Sequence, residues 1–466
     1  MTDAAPRLAV VAETLLGAPL PVRVRAWDGS EAGPPDGPVL VIHDRRAVRR
    51  MLWRPGELGL ARAWVAGELT VEGNLFDLLD RVAGLLWERE PDLPPVGPAV
   101  STAQAGPGPL AALGSVARRA GLPALRDLPG ARWRDAAHRA AARELIALAG
   151  PLPPPAPPAE EAARRGGARH SKSRDRRAVS HHYDVGNDFY ERVLGPSMVY
   201  SCAYWSPGST LEQAQRDKLD LVCRKLALRP GDRLLDVGCG WGSMALHAAR
   251  EYGVRVTGVT LSREQAAYAR KRVADGGLTD LVDIRIQDYR DVKDGPYEAI
   301  SSIGMAEHVG ADRYRDYART LHALLRPGGR LLNHQIARPP EPDEEAHRID
   351  EFIDAYVFPD GELSPLGTTV GELERAGFEV RDVEALREHY GLTLRAWVAR
   401  LEEHWAEAVR LTSPGRARVW QLYMAACALG FERGRLGVNQ VLAVRPTAAG
   451  EARLPLRLRT WDAETV

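Results

Sequence analysis

The segment Leu234-Leu-Asp-Val-Gly-Cys-Gly-Trp-Gly-Ser243 constrains the fold of this chain more than any other. A short apolar run enters three glycines at alternate positions, and helical spacing follows. Glycine lets the chain turn this tightly while leaving its backbone open to a ligand. In a doubly wound α/β sheet, such a strand-to-helix turn is where a nucleotide-like ligand rests. Downstream, strand-like runs (Arg233–Val237, Val254–Val259, Val282–Ile286, Ala299–Ile303, Arg330–His334) alternate with helical spacing, as over Ser243–Glu251 and Arg263–Asp275. That alternation predicts βαβ units and a parallel sheet.

The glycine spacing is G-x-G-x-G, not the G-x-G-x-x-G of dinucleotide folds. Asp236, ahead of Gly238, Gly240 and Gly242, supplies an acid suited to a cationic sulfonium amino acid. The second strand ends in Thr260-Leu261-Ser262, and Gln265 on the next helix is placed to bond ribose hydroxyls. The third ends in Gln287-Asp288-Tyr289, a carboxylate for an adenine amino group and a ring to stack on the base. In this order the segments point to S-adenosylmethionine on a Rossmann-type sheet. A nicotinamide oxidoreductase lacks support, because the sixth-position glycine and an acid at the end of strand two are both missing.

Residues 1–149 read as a small α+β accessory domain. Strands are predicted at Val22–Ala26 and Val39–Ile42, helices at Pro55–Glu68 and Leu75–Leu86, and irregular chain over 91–130. Residues 150–177 read as a linker. Its proline-rich start, 150–158, suits a stiff spacer. Arg164, Arg165, Arg169, Lys172, Arg174, Arg176 and Arg177 then face only Asp175. This is either a solvated hinge or a dock for anionic lipid. Residues 178–450 form the catalytic domain and 451–466 a tail. Lys+Arg and Asp+Glu are both 62, so nothing global argues for nucleic acid. The four cysteines include no CxxC pair, which gives no disulfide or zinc framework and makes a reducing, cytoplasmic setting the expectation. No apolar run approaches the length of a membrane span.

Ser180-His-His-Tyr-Asp-Val-Gly-Asn-Asp188, Tyr200-Ser-Cys-Ala-Tyr-Trp205, the glycine loop, Gly304-Met-Ala-Glu-His-Val-Gly310 and Phe358-Pro-Asp-Gly361 together resemble the cyclopropane-fatty-acyl-phospholipid synthase family. The resemblance covers roughly residues 178–445. It implies a class I S-adenosylmethionine methyltransferase fold, with a seven-stranded sheet and an acyl-chain tunnel. It also implies a bound bicarbonate as base, held by Cys202, Glu307, His334, the backbone of Ile336 and the hydroxyl of Tyr390. Tyr200 and Ser201 join the cofactor-binding set. Cys427 matches a cysteine once suspected in the family's active site, although a buried helix cysteine is the simpler reading. Leu332-Asn-His-Gln-Ile336, Gly195-Pro-Ser-Met198, His170-Ser-Lys-Ser173 and Tyr356-Val-Phe-Pro-Asp-Gly-Glu362 look closer to actinobacterial enzymes that give oleoyl phospholipid a 10-methylene group. Cyclopropane formation on the same substrate is the alternative.

An alkene is a feeble nucleophile, so catalysis must come from alignment and from stabilising the developing cation. Aromatic faces stabilise such charge; Tyr183, Tyr204, Trp205 and Tyr314 are candidates, with core roles as the competing reading. His181 and His182 are adjacent, so at most one reaches the pocket. The resemblance further implies work at the inner face of the cell membrane, by peripheral association with an anionic surface. It admits a homodimer packed through the Leu- and Trp-rich stretch 392–431, and a downstream reductase. A non-catalytic lipid carrier would leave Cys202, Glu307, His334 and Tyr390 unexplained.

Overall fold

Apolar strands with helices between them build a twisted mixed sheet, in the computed structural model that describes residues 3–87, 136–162, 174, 185–341, 344 and 350–456. The stretch 91–130, His181, His182, Tyr183 and the linker residues Arg164, Arg165, Arg169, Lys172, Arg176 and Arg177 lie outside the described residues.

Four short strands come first: β1 (Arg23–Arg25), β2 (Glu31–Ala32), β3 (Val39–Ile42) and β4 (Leu69–Glu72), in the order β2-β1-β3-β4. The large sheet comprises β5 (Arg233–Val237), β6 (Arg255–Thr260), β7 (Val282–Ile286), β8 (Tyr297–Ile303), β9 (Leu325–Arg338), β10 (Ser364–Pro365), β11 (Glu379–Ala385) and β12 (Gly437–Val444). Seven of these run in the order β11-β12-β9-β8-β5-β6-β7, and the two-residue β10 pairs with β9. Strands β9, β8, β5, β6 and β7 are parallel, whereas β12 is antiparallel to both of its neighbours. Chain order reverses at β5, which places a ligand crevice at its carboxyl end.

Side chains alternate across a strand, and two cores result. Leu234, Leu332 and Leu442 pack on one face beneath Val222 and Leu226 of the helix Leu211–Leu226. Leu235, Leu331 and Val441 pack on the other, against Tyr317 and Leu321.

The sequence suggested consecutive domains; the compact units are interleaved. One comprises Met1–Arg164, Pro340–Pro359 and Leu394–Arg435, the other Arg165–Pro339, Asp360–Thr393 and Leu436–Val466. Specific bonds tie the late segments into the first unit. Glu57 accepts from Phe352 N at 3.0 Å, Trp64 Nε1 donates to Arg418 O at 3.0 Å, and Tyr356 Oη donates to Glu161 at 3.0 Å. The proline-rich stretch is part of that unit too, since Arg50 donates to Ala156 O at 2.8 Å.

Candidate active site

The glycine turn has the predicted geometry. Gly238, Gly240 and Gly242 have φ of 76°, 54° and 81°, in the left-handed region. Gly238 N and Cys239 N both donate to Val259 O at 3.0 Å, which pins the turn to β6. A Cβ built at Gly240 meets nothing within 4 Å, so the loop there faces open space.

Asp236, at the end of β5, is buried. Its Oδ1 accepts from Ser301 Oγ at 2.7 Å, while Oδ2 has no partner among the described residues. Burial pushes this carboxyl up to about 6, with Ser301 and the Lys218 charge holding it back. An orphaned carboxylate oxygen beside an open glycine loop fits the cationic amino acid part of S-adenosylmethionine.

The other cofactor candidates are differently engaged. Thr260 Oγ1 donates to Gln265 Oε1 at 2.8 Å, and Ser262 Oγ caps the following helix through Gln265 N at 3.1 Å. Gln265 is thus turned inward, where the sequence had it reaching ribose. Leu261 between them is half-buried. The Asp288 carboxylate is gripped by Arg290 at 2.8 and 2.6 Å, so an adenine amino group would have to share it. Tyr289 packs edge-on against Tyr317, with centroids 5.6 Å apart, as a core residue. Gln287 Nε2 donates to Asp291 O at 2.9 Å. The ring of Tyr200 packs against Tyr190.

Three of the proposed anion ligands, Glu307, His334 and Ile336, are brought together at β9. Glu307 sits on a short turn after β8, where Oε1 accepts from Ile336 N at 2.8 Å. Its Oε2 is buried without a partner among the described residues, and burial pushes the carboxyl up to about 7. His334 is buried in β9, held well below its usual range by desolvation and by the charges of Lys218 and Lys225. The ring is therefore neutral. Its Nδ1 lies 3.3 Å from Gln440 Nε2, and its Nε2 has no partner among the described residues. Cys202 Sγ donates to Ala203 O at 3.2 Å and Leu386 O at 3.5 Å, and burial keeps it a thiol. Leu386 N in turn donates to Val438 O, opposite Ile336, and accepts at its carbonyl from Tyr390 N. A buried carboxyl oxygen and a buried ring nitrogen, both left open, suit a small anion that both donates and accepts, as bicarbonate does.

Cys427 lies on the helix Pro414–Glu432 in the first unit, unlike the five ligand candidates. Burial pushes its thiol well up. Three of the aromatics offered for cation stabilisation have partners of their own: Tyr204 stacks on His389 with centroids 4.9 Å apart, Trp205 Nε1 donates to Thr393 at 3.0 Å, and Tyr314 Oη donates to Gln335 at 2.7 Å. Arg174 donates to both oxygens of Asp360 at 2.6 Å, so this linker cation is paired.

Two residues escaped the sequence reading. Lys218 is buried and donates to Ser201 Oγ at 3.0 Å; desolvation lowers its ammonium to about 8. It falls on the buried stripe Leu211, Ala214, Gln215, Lys218, Leu219, Val222. A charge on such a stripe is a readable sign of a site. Gln440 is the other, a polar side chain inside a buried strand.

A family model described as mycolic acid cyclopropane synthetase matches residues 170–441. A probable fatty acid methyltransferase of Mycobacterium tuberculosis is 42% identical over 443 residues, 94% of each chain. The cyclopropane-fatty-acyl-phospholipid synthase of Escherichia coli K12 is 38% identical over 269 residues, 58% of this chain and 68% of that one. Among solved structures, a cyclopropane synthase from Mycobacterium tuberculosis is 32% identical with a TM-score of 0.55, covering 59% of this chain and 98% of that one. A mycolic acid cyclopropane synthase complexed with SAH and CTAB is 34% identical with a TM-score of 0.54, covering 57% and 97%. Fold, glycine turn and these likenesses agree: the chain belongs to the mycolic acid cyclopropane synthetase family of S-adenosylmethionine-dependent methyltransferases.

Proposed function

We propose that the protein modifies the cis double bond of an unsaturated phospholipid acyl chain, giving a 10-methylene product. The observation that carries this reading is the pair of buried, unpartnered atoms Glu307 Oε2 and His334 Nε2. The likeness along 94% of the chain to a probable fatty acid methyltransferase supports the substrate class.

Asp236 and the loop of Gly238, Gly240 and Gly242 would hold S-adenosylmethionine; Glu307, His334 and Ile336 N, with Cys202 and Tyr390, would hold bicarbonate. When bound, these groups supply an electrophilic methyl and a proton acceptor. The residues do the rest. Asp236 fixes the donor's charged end. The neutral His334 ring would donate a hydrogen bond without adding a charge that opposes the carbocation formed from the substrate. The thiol of Cys202, kept protonated, adds no competing nucleophile. Burial of these groups keeps water away from a carbocation. A hydride shift before proton loss gives the exocyclic methylene; immediate proton loss from the new methyl closes a cyclopropane.

The cyclopropane synthases among the relatives favour that second product. Proton NMR of oleate-containing lipids from cells expressing the chain separates the two. Vinylidene protons are expected, ring protons would establish the alternative, and unchanged oleate would sink both. Among the described residues no helix is long and apolar enough to cross a membrane. We place the enzyme in the cytoplasm, at an anionic membrane surface, with vesicle co-sedimentation as the check.

A further inference from the structure

His334, Gln440 and Glu384 form one cross-strand row. Gln440 on β12 lies directly opposite His334 on β9 and, on its other side, opposite Glu384 on β11. The helix Leu211–Leu226 hangs Lys225 over this row. Its Nζ donates to Gln440 Oε1 at 2.7 Å and pairs with Glu384. Gln440 is wholly buried.

We propose that Lys225 and Gln440 are positioning residues that fix the tautomer of His334, so that Nε2 carries its hydrogen and stands ready as a donor. An ammonium only donates. Lys225 therefore claims the amide oxygen of Gln440; the flipped amide would set N–H groups against the ammonium. With its oxygen taken, Gln440 directs its NH₂ at His334 Nδ1. A nitrogen that accepts cannot bear hydrogen, so the hydrogen of the neutral ring sits on Nε2. That nitrogen has no other partner among the described residues. The arrangement is a histidine oriented from behind by a hydrogen bond, as the ring of a metal-ligating histidine is. Glu384 pairs with Lys225 and Asp382 lies 4.0 Å from the same Nζ, so two carboxylates hold the ammonium over the row. Its consequence for anion binding rests on the function proposed above.

The test is long-range ¹H–¹⁵N correlation NMR of the full chain labelled with ¹⁵N-histidine, with the His334 signals assigned by His334→Gln. The wild type is expected to show hydrogen on Nε2 and a bare Nδ1. In Gln440→Glu a carboxylate accepts from both sides, so hydrogen moves onto Nδ1. In Lys225→Met, at a partly exposed position, the amide is free to turn and both tautomers appear. A wild-type ring protonated at Nδ1 overturns the proposal, as does an unchanged tautomer in either variant that folds. A second readout separates the proposal from the function it serves. The bicarbonate KM of Gln440→Glu is expected to rise roughly tenfold or more, with kcat falling less. If the tautomer switches and bicarbonate dependence does not move, the relay stands and the anion assignment falls.

Discussion

The two faces of β9 carry buried polar side chains in opposite conditions. On one face, Tyr314 donates to Gln335, Asn333 Nδ2 donates to Gln335 Oε1 at 2.7 Å, and Gln335 Nε2 donates to Thr369 at 2.8 Å. Tyr317 Oη closes the set within reach of Ser302 at 2.7 Å and Asn333 at 3.0 Å. On the other face, in the register of Asp236, Ser301, Leu332 and His334, the donors and acceptors do not balance. Asp236 Oδ2 and His334 Nε2 are left over there, as is Glu307 Oε2 nearby. A satisfied buried network specifies structure, whereas an unsatisfied one costs stability and is kept where a ligand completes it. The same strand thus holds the fold together on one side and, on the other, leaves open the groups on which the proposed chemistry rests.

The sharpest way to break this contrast is Glu307→Gln. Turnover should fall by about 10²–10⁴-fold, while calorimetry finds the S-adenosylmethionine affinity retained. Turnover within a few-fold of wild type would remove Glu307 from the chemistry.

Next in size is a stability effect of the same residue. The folded carboxyl titrates near 7, against 4.5 for an ordinary Glu. The folded state therefore holds this proton more tightly, and folding takes one up between those values. Unfolding free energy should drop by about 3 kcal/mol as pH rises from about 4.5 to 7. Urea melts of Glu307→Gln should lack that drop, leaving the variant more stable than wild type at neutral pH. Parallel pH profiles for the two proteins would contradict the burial argument.

The satisfied face should respond the other way. Tyr317→Phe strands Ser302 and Asn333, and should lower unfolding free energy by about 1–3 kcal/mol with kcat little changed. A variant of full stability and poor turnover would reverse the assignment of the two faces.

These contrasts were only partly legible in the residues. The glycine turn, β5, β7 and the helix Arg263–Asp275 stand where the pattern put them, because each is a local signal: period, turn residues and cap. Strand β11 escaped because Arg381, Asp382 and Glu384 on an edge strand blur the alternation. The interleaving of the two units escaped because it depends on distant partners such as Glu57 and Phe352. Glu307, His334 and Ile336 came from motif resemblance, whereas Gln265 and Asp288 were assigned from type and position. A side chain's type does not reveal that Thr260 or Arg290 already occupies it. Lys218 was visible in principle, as a charge on an apolar stripe.

Lys218 also gives the smallest and most specific test. Its charge reaches both Asp236, which it helps to ionise, and His334, where it adds to the burial that already keeps the ring neutral. Methionine has a similar length and no charge, so Lys218→Met removes the field and retains much of the packing. Asp236, already pushed up to about 6, should then move higher. The ionised form is the one suited to a cationic ligand, so S-adenosylmethionine affinity should weaken on acidification at a higher pH than in wild type. The loss should amount to about three- to tenfold near pH 6.5, the upper end corresponding to about 1.4 kcal/mol of lost ammonium–carboxylate attraction. Calorimetric titrations between about pH 5.5 and 8 read the displacement directly. Superimposable curves would mean that Asp236 takes no part in holding the cofactor's charge. The unpartnered oxygen at the end of β5 would then need another ligand to explain it.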